Sequence, residues 1–195
     1  MIKVIDNLIS KPYLKDLQSY FLGSNSEWVF SDNLTTKEQG GLDSYGFNIP
    51  LHWNGQFISN FVGTSIRSLV FTAQEHVENF VDGPQQIVRA RADMTVYNSN
   101  QYRHELHTDF PYEHVTAIFY MNTSDGNTLL FDRDGKKLIQ EIEPIENRLI
   151  IFDGLMQHTG HSPSKHKSRV LINMNFMNLE LVNELNKKYG VNDGR

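Results

Sequence analysis

The chain contains no cysteine, and this absence removes several classes of site at once. Disulfide bonds, thiolate metal sites and cysteine nucleophiles are excluded, so histidine, aspartate and glutamate remain as the metal ligands to consider. Positive charge is also in short supply, because the formal net charge is −5. A chain with this balance lacks the basic surface that nonspecific nucleic-acid binding requires, and we expect no nucleic-acid partner.

Long apolar runs are missing as well. No stretch approaches the length that crosses a membrane, and the opening Met1-Ile2-Lys3 is not typical of a signal peptide. We therefore expect a cytoplasmic protein with no membrane partner. The 195 residues are enough for one domain with a sizeable core, in which 12 Phe and 8 Tyr supply much of the apolar content. Nothing in the sequence indicates an oligomeric state.

The first part of the chain, residues 1–85, mixes helical and strand patterns. Apolar residues at helical spacing predict two helices, and β-branched and aromatic runs predict two short strands. The predicted elements are a strand over 1–9, a helix over 11–22 with Ser10 as its N-cap, a strand over 27–34, a loop over 40–50, and a helix over about 57–80 capped near Asn54 or Gly55.

From residue 86 the pattern changes to short strands separated by Asn, Asp, Gly, Ser and Pro. A sequence with helices first and many short strands later is typical of a jelly roll with helices packed on it. The predicted fold class is therefore α+β in a single domain. Its parts would be N-terminal support over 1–85, a jelly-roll core over 86–178 and a C-terminal helix over 179–195. The predicted core strands cover 86–99, 114–122, 126–134, 136–144, 147–154 and 168–178, and Gly190 would cap the last helix.

The spacing His107-Thr108-Asp109 is the most informative motif in the chain. Residues at i and i+2 of a strand point to the same face, so these two side chains could share a ligand. His158, just past an apolar strand, offers a third. Two histidines and one carboxylate are the ligand set of non-haem Fe(II) oxygenases, which leave coordination positions open for substrates. Taken alone, His107 and Asp109 could equally be a hydrogen-bonded surface pair.

Arg169 supports the metal interpretation. It opens the strand 168–178, where it shares a face with Leu171, Asn173 and Asn175. An arginine on such a face needs a carboxylate partner, and its guanidinium can hold one through two parallel hydrogen bonds. The sequence therefore predicts a carboxylate anchor at Arg169, close to the metal ligands.

Several other histidines are possible ligands. His104 lies three residues before His107 and, on a strand, would face the opposite side. His161, eight residues before Arg169, remains an alternative to His158 as the third ligand. The histidines expected to be ordinary surface or loop residues are His52, His76 and His166.

Together these residues resemble the Fe(II)/2-oxoglutarate-dependent dioxygenases, and within them the prolyl-4-hydroxylase-like branch. The resemblance covers about residues 86–178. It rests on Tyr97, the His107-Thr108-Asp109 motif, the runs VTAIFYMN, NRLIIFDG and QHTGHSP, and Arg169. It implies a double-stranded β-helix with helices on its outside. The implied iron ligands are His107, Asp109 and His158, and the implied 2-oxoglutarate contacts are Arg169, Tyr120 and Tyr97.

The resemblance also implies the chemistry: Fe(II), 2-oxoglutarate and O2, with ascorbate as an optional addition, coupling substrate oxidation to conversion of 2-oxoglutarate into succinate. In halogenating relatives a small residue replaces the carboxylate ligand, so Asp109 favours hydroxylation. A peptide or small polar molecule is the expected substrate. Arg89, Arg91 and Asp93 could meet it at the mouth of the site, or they could equally form a salt-bridged strand. Residues 26–46 and 110–114 could form lids over it. The alternatives are a jelly-roll binding protein with a relic metal site and a nucleic-acid demethylase, which the acidic charge opposes.

Overall fold

The structure is a computed structural model that describes residues 1–24, 26–32, 34, 44–53, 56–58 and 63–189. Within them lie three helices: α1 (Lys11–Phe21), α2 (Gly63–Val81) and α3 (Leu179–Tyr189). The strands are β1 (Ile2–Ile5), β2 (Val29–Ser31), β3 (Gly46–Trp53), β4 (Gln56–Phe57), β5 (Gln85–Val96), β6 (Val115–Tyr120), β7 (Thr128–Phe131), β8 (Leu138–Ile142), β9 (Arg148–Asp153), β10 (His158–Gly160) and β11 (Ser168–Asn178).

The strands form two antiparallel sheets. The large sheet runs in the order β1-β9-β6-β11-β5-β3-β2, with β4 added to β3, and the small sheet runs in the order β10-β7-β8. Many neighbouring strands are far apart in the sequence, such as β1 beside β9 and β6 beside β11, and such crossover connections are typical of a jelly roll. The predicted α+β class with a jelly-roll core is confirmed.

The large sheet has two different faces, and β11 shows why. Val170, Ile172, Met174 and Phe176 belong to the core cluster shared with α1 and α2, so this face is covered by helices. Leu171 belongs to a second cluster that joins β6, β9, β7 and β8 between the two sheets. Because successive side chains of a strand point to opposite faces, Arg169 and Asn173 lie on the inner side with Leu171. The helices therefore hold the large sheet from behind and leave its inner face for the site.

The predicted loop over residues 40–50 is wrong at residues 46–50, which belong to β3. This strand pairs with β5, with Asn48 opposite Asp93, and buries Ile49 and Leu51. Pro50 obscured the pattern, since proline cannot donate to a ladder and usually argues against a strand. Here the register shifts between Pro50 and His52, and this irregularity accommodates the proline.

The long helix begins later than the sequence suggests. Gln56 and Phe57 form β4, and α2 runs from Gly63 to Val81. Its predicted apolar face is buried at Ile66, Leu69, Val70, Ala73 and Val77, whereas Ile58 precedes the helix and is exposed. The predicted caps at Asn54, Gly55 and Gly190 lie outside the described residues.

The first helix follows the prediction closely. Ser10 occupies the N-cap position, although its side chain makes no capping hydrogen bond, and proline stands in the first turn. None of the helices in the described ranges is long and apolar enough to span a bilayer.

Candidate active site

His107 and His158 are joined directly through their backbones. The His107 N–H donates to the His158 carbonyl over 3.1 Å, and the His158 N–H donates to the His107 carbonyl over 2.9 Å. This is an isolated antiparallel bridge, because His107 lies outside any named strand and His158 begins β10. The bridge sets the two imidazoles side by side, with ring centroids 4.5 Å apart.

Asp109 completes a triad with these two histidines. Each residue offers one ligand atom, and the three atoms lie within 4.8 Å of one another. The Nδ1 atoms of His107 and His158 lie 3.0 and 3.2 Å from the carbonyl oxygens of Glu105 and Met156. A carbonyl can only accept a hydrogen bond, so each Nδ1 carries the proton and each Nε2 keeps a lone pair for a metal. The donor set fits an Fe(II) ion with open positions.

The Asp109 carboxylate is held by four side chains from three strands. Arg89 of β5 forms an ion pair with Oδ1, and Thr116 of β6 donates to Oδ2 over 3.4 Å. Two amides of β11 also donate, Asn175 to Oδ2 over 2.8 Å and Asn173 to both oxygens over 3.2 Å. These contacts fix the orientation of the carboxylate, as outer partners of metal ligands do.

The electrostatics keep Asp109 and His158 in the protonation states that bind metal. Burial alone would favour a neutral Asp109, but the charges of His158, Arg89 and His107 and a hydrogen bond from Asn175 hold the pKa of this carboxyl well below its usual range. Burial, reinforced by His107, lowers the pKa of His158 to about 4. A carboxylate and a neutral imidazole are the forms that coordinate a divalent cation at neutral pH.

Arg169 lies in a second cluster next to the triad. It is 6% exposed, and its Nη2 donates to the Thr128 hydroxyl over 2.7 Å. The Tyr120 hydroxyl donates to the same oxygen over 2.6 Å, so the two lone pairs of that oxygen are used and its own proton is free to point elsewhere. The guanidinium also lies 5.7 Å from the Tyr120 ring centroid. Thr128 and Arg169 thus present donors side by side.

No carboxylate of the described residues lies within ion-pair distance of Arg169. Its Nε has no protein hydrogen-bond partner. A buried guanidinium without a counter-ion is costly, so this arrangement calls for an anionic ligand. Gly160 leaves the necessary room, because a Cβ there would lie 3.1 Å from the arginine Nη1.

One cavity joins the triad to Arg169. Its walls include Leu34, Arg91, Asp93, Thr95, His104, His107, Ile118, Thr128, His158, Thr159, Gly160, Arg169, Leu171 and Asn173. Among the described residues, twelve buried side-chain N or O atoms have no hydrogen-bond partner. Seven of them belong to lining residues: Arg91 Nε, Asp93 Oδ1, Thr95 Oγ1, His104 Nδ1 and Nε2, Arg169 Nε and Asn173 Oδ1. Buried polar groups are normally paired, so this concentration marks a ligand site.

The structure brings His107, Asp109, His158 and Arg169 together, as the sequence predicts. His161 is not part of the triad: it pairs with Arg103 in another bridge. Arg89 is not at a substrate mouth, since it binds Asp109. Of the predicted lid over 26–46, Asn33 and residues 35–43 lie outside the described residues, while Leu34 lines the cavity.

The two predicted tyrosines have different positions. Tyr120 is fully buried and is not a lining residue, because its hydroxyl is turned to Thr128. Tyr97 is 55% exposed and does not line the cavity. It follows the last residue of β5, and Thr95, two residues earlier, is the last β5 side chain to reach the wall. The position of Tyr97 therefore does not support a cosubstrate contact.

His104 corrects a prediction made from strand alternation. It lines the cavity together with His107, although it lies three positions before His107 in the sequence. Alternation does not apply, because residues 102–107 make only the two isolated bridges at Arg103 and His107. Burial, with the charges of Arg169 and His107, lowers the pKa of His104 to about 4. The sequence signal for this residue is the presence of two histidines, His104 and His107, within four positions.

With this geometry in place, a family model described as the 2OG-Fe(II) oxygenase superfamily matches residues 68–177, more than half of the chain. The chain belongs to this superfamily. The match spans the triad, Arg169 and most of the large sheet, and it confirms the family that the motifs indicate. Membership implies Fe(II) and 2-oxoglutarate as cofactor and cosubstrate. A search of curated proteins found no match.

Solved structures share the fold of this 2OG-Fe(II) oxygenase. A 2OG-Fe(II) oxygenase family protein from Burkholderia pseudomallei superposes with a TM-score of 0.70 at 9% identity, covering 90% of this chain and 84% of the other. The epimerase SnoN from nogalamycin biosynthesis, solved with Fe3+, alpha ketoglutarate and nogalamycin RO, gives 0.67 at 9% identity, with coverages of 91% and 78%. A prolyl hydroxylase from Trichoplax adhaerens, bound to a peptide fragment of hypoxia inducible factor, gives 0.60 at 17% identity, with coverages of 92% and 84%.

Proposed function

We propose that this chain is a single-domain Fe(II)- and 2-oxoglutarate-dependent hydroxylase. It would couple oxidation of a peptidyl or small polar substrate by O2 to decarboxylation of 2-oxoglutarate to succinate, with ascorbate as an optional reductant. The observation that carries the proposal is the cavity that His107 and His158 of the His-Asp-His triad share with a buried arginine without a counter-ion. Relatives with this fold include an epimerase and a prolyl hydroxylase, so the reaction outcome rests on the site and not on the fold.

In this proposal the triad holds the metal through His107 Nε2, His158 Nε2 and an Asp109 oxygen. Bound Fe(II) supplies the activation of O2, which the side chains of the protein cannot provide. Arg89 keeps Asp109 ionised and oriented. The carboxylate would therefore occupy one coordination position of the metal, and a halide could not bind there. This retained ligand supports hydroxylation over halogenation.

The second part of the proposal concerns 2-oxoglutarate. Its distal carboxylate would accept hydrogen bonds from Arg169 and from the Thr128 hydroxyl, whose own proton is free. Tyr120 acts as a positioning residue, because it fixes that hydroxyl through a 2.6 Å hydrogen bond. The other end of the cosubstrate would then point along the cavity toward the triad, where a 2-oxo acid can chelate a metal.

The proposal is tested by turnover of 2-oxoglutarate. Purified protein loaded with Fe(II) should convert 2-oxoglutarate to succinate in the presence of O2, and the rate should rise when the right substrate is added. The His107→Ala variant should lose this turnover, whereas His161→Ala should keep it, because His161 lies outside the triad. Succinate formation that is equal in wild type and His107→Ala would refute the proposed enzyme and favour a binding protein with a relic site.

A further inference from the structure

The wall of the cavity that β5 forms carries two opposite charges. Arg91 and Asp93 stand two residues apart on the same strand face, and both line the cavity. The Arg91 Nε and the Asp93 Oδ1 lie 2.6 Å apart, and the two side chains are 30% and 13% exposed. Neither residue is a triad ligand or a member of the Arg169 cluster, so the proposed metal and cosubstrate sites leave them without a role.

This ion pair is incompletely satisfied. Its two closest atoms lack the alignment of a hydrogen bond and have no other partner among the described residues. Burial raises the pKa of Asp93 even though Arg91 stands beside it, so the carboxylate lacks sufficient compensation. Two further lining atoms are also unpaired, Thr95 Oγ1 on β5 and Asn173 Oδ1 on the neighbouring β11. A partly buried pair of this kind does little for stability, which argues for a role in binding.

The pair lies close to the triad. Arg91 is directly opposite Asn173 in the pairing of β5 with β11. The Asn173 amide donates to Asp109 over 3.2 Å, while its carbonyl oxygen remains unpaired. A group bound by Arg91 and Asp93 would therefore sit one side chain away from a metal ligand, which is where a substrate of this site must be.

We propose that Arg91 and Asp93 recognise a small zwitterionic substrate, such as a free α-amino acid, whose anionic group pairs with Arg91 and whose ammonium group pairs with Asp93. This inference rests on the proposed function, because it names the substrate class of that same site. On binding, the substrate replaces the internal ion pair with two intermolecular ones. Each charged side chain keeps a partner of opposite sign throughout.

Charge balance favours a zwitterion over substrates of a single charge. An anionic substrate would pair with Arg91 but leave Asp93 uncompensated beside it and beside the dianionic cosubstrate. A cationic substrate would leave Arg91 uncompensated near the metal. Leaving one member of a buried charge pair without its partner is strongly unfavourable, so either case is selected against. A substrate with both charges avoids both penalties.

The experiment compares chemical forms of the same amino acids. Protein loaded anaerobically with Fe(II) and 2-oxoglutarate is titrated with a panel of free L-amino acids, their N-acetyl derivatives and their methyl esters. The readouts are perturbation of the metal-to-cosubstrate charge-transfer band and, after O2 is admitted, stimulation of succinate formation. At least one free amino acid should act, and its N-acetyl and ester forms should act at concentrations at least about thirty-fold higher, since each lacks one charge.

Variants then assign the effect to the two residues. Arg91→Gln and Asp93→Asn should each weaken the response to the active amino acid by about thirty-fold or more, with 2-oxoglutarate affinity unchanged. Arg133→Gln is the matched control, because it removes an exposed arginine–aspartate pair outside the cavity and should change neither response.

Three results would overturn the inference. The first is that no free amino acid perturbs the band of a protein that binds 2-oxoglutarate normally. The second is that capped or peptide forms act as well as free ones. The third is that both variants respond like wild type. Each of these leaves the oxygenase proposal standing. Failure of wild type to bind 2-oxoglutarate at all would refute both, and the charge-transfer band separates that case before any substrate is added.

Discussion

His107 and His158 exchange two backbone hydrogen bonds with each other. Two candidate metal ligands that are far apart in the sequence are therefore direct neighbours in the fold. Backbone pairing holds the two imidazoles in register whatever their side chains bind. The same bridge connects the segment before the large sheet's β6 with the first residue of β10, in the small sheet. The candidate site is thus built at the junction of the two sheets, where the segment between β5 and β6 supplies His107 and Asp109 and β10 supplies His158.

The first prediction concerns the triad. His107→Ala and Asp109→Ala should each abolish tight binding of Fe(II) or a substitute such as Mn(II) or Ni(II), because each removes one of three ligand atoms that lie within 4.8 Å. Calorimetric titration of metal into apoprotein measures this. His161→Ala is the matched control and should bind like wild type. Unchanged affinity in a His107→Ala, Asp109→Ala double variant would show that the metal binds elsewhere.

The second prediction concerns Arg89, which is not a ligand but pairs with Asp109. Arg89→Gln should lower metal affinity by about 10- to 100-fold, the usual effect of losing an outer partner of a metal ligand. Asn175, which bonds both Arg89 and Asp109, should keep the carboxylate in place, so binding should weaken without disappearing. Arg133→Gln, at an exposed ion pair, is the control. An affinity equal to wild type would mean that Arg89 serves stability alone.

The alternation pattern of the strands predicts the main elements and selects the residues of the candidate triad, but it does not show how these residues are held. The shared face of His107 and Asp109 was inferred from strand spacing, yet His107 lies in an isolated bridge and its partner is supplied by His158. The prediction that His107 and Asp109 lie close together still holds, because a single antiparallel pair at His107 gives the backbone a strand-like conformation there. Arg169 was predictable for a simpler reason: it opens a strand whose every second residue is apolar and packs under the helices.

The roles of other residues could not be read because they depend on long-range pairing. Arg89 reaches Asp109 and Asn175, and only the alignment of β5 with β11 places Asn175 opposite it. His104 was assigned to the wrong side because alternation was applied to a segment that is not a strand. In the same way, the pairing of β3 with β5 converts the sequence around Pro50 from a loop into a strand. Each miss lies at a place where tertiary contacts override local pattern.

The third prediction concerns pH and His104. Its pKa is about 4 in the folded chain and 6.5 for an ordinary histidine, so between these values the unfolded chain binds a proton that the folded chain does not. Stability is therefore full above pH 6.5 and is lost as the pH falls toward about 4. A shift of this size corresponds to on the order of 3 kcal/mol at most, and the buried His158 acts in the same direction in apoprotein.

Urea unfolding of apoprotein at pH 7.5 and pH 5 measures this loss. His104→Gln removes the titrating group and should reduce the difference in unfolding free energy between the two pH values. His76→Gln, on α2 and outside the cavity, should leave the difference as in wild type. A loss that is the same in His104→Gln and wild type would assign the pH dependence to other groups.

The last prediction concerns Arg169. If it holds the distal carboxylate of 2-oxoglutarate, Arg169→Ala leaves a buried anion unpaired, which costs about 2–5 kcal/mol, or roughly thirty- to several-thousand-fold in affinity. Arg169→Lys should recover only part, because an ammonium cannot make the two-pronged contact. Tyr120→Phe acts through Thr128 and should cost less, about 0.5–3 kcal/mol.

Anaerobic titration of 2-oxoglutarate into Fe(II)-loaded protein, followed at the charge-transfer band, gives these affinities, and metal binding should survive in all three variants. A 2-oxo acid that lacks the distal carboxylate, such as 2-oxopentanoate, supplies the internal control, because it can chelate the metal but has nothing for Arg169 to bind. Its affinity should be weak in wild type and unchanged in Arg169→Ala. If Arg169→Ala instead binds 2-oxoglutarate like wild type, the unpaired guanidinium in the cavity serves another anion, and the distal carboxylate is held by a different residue.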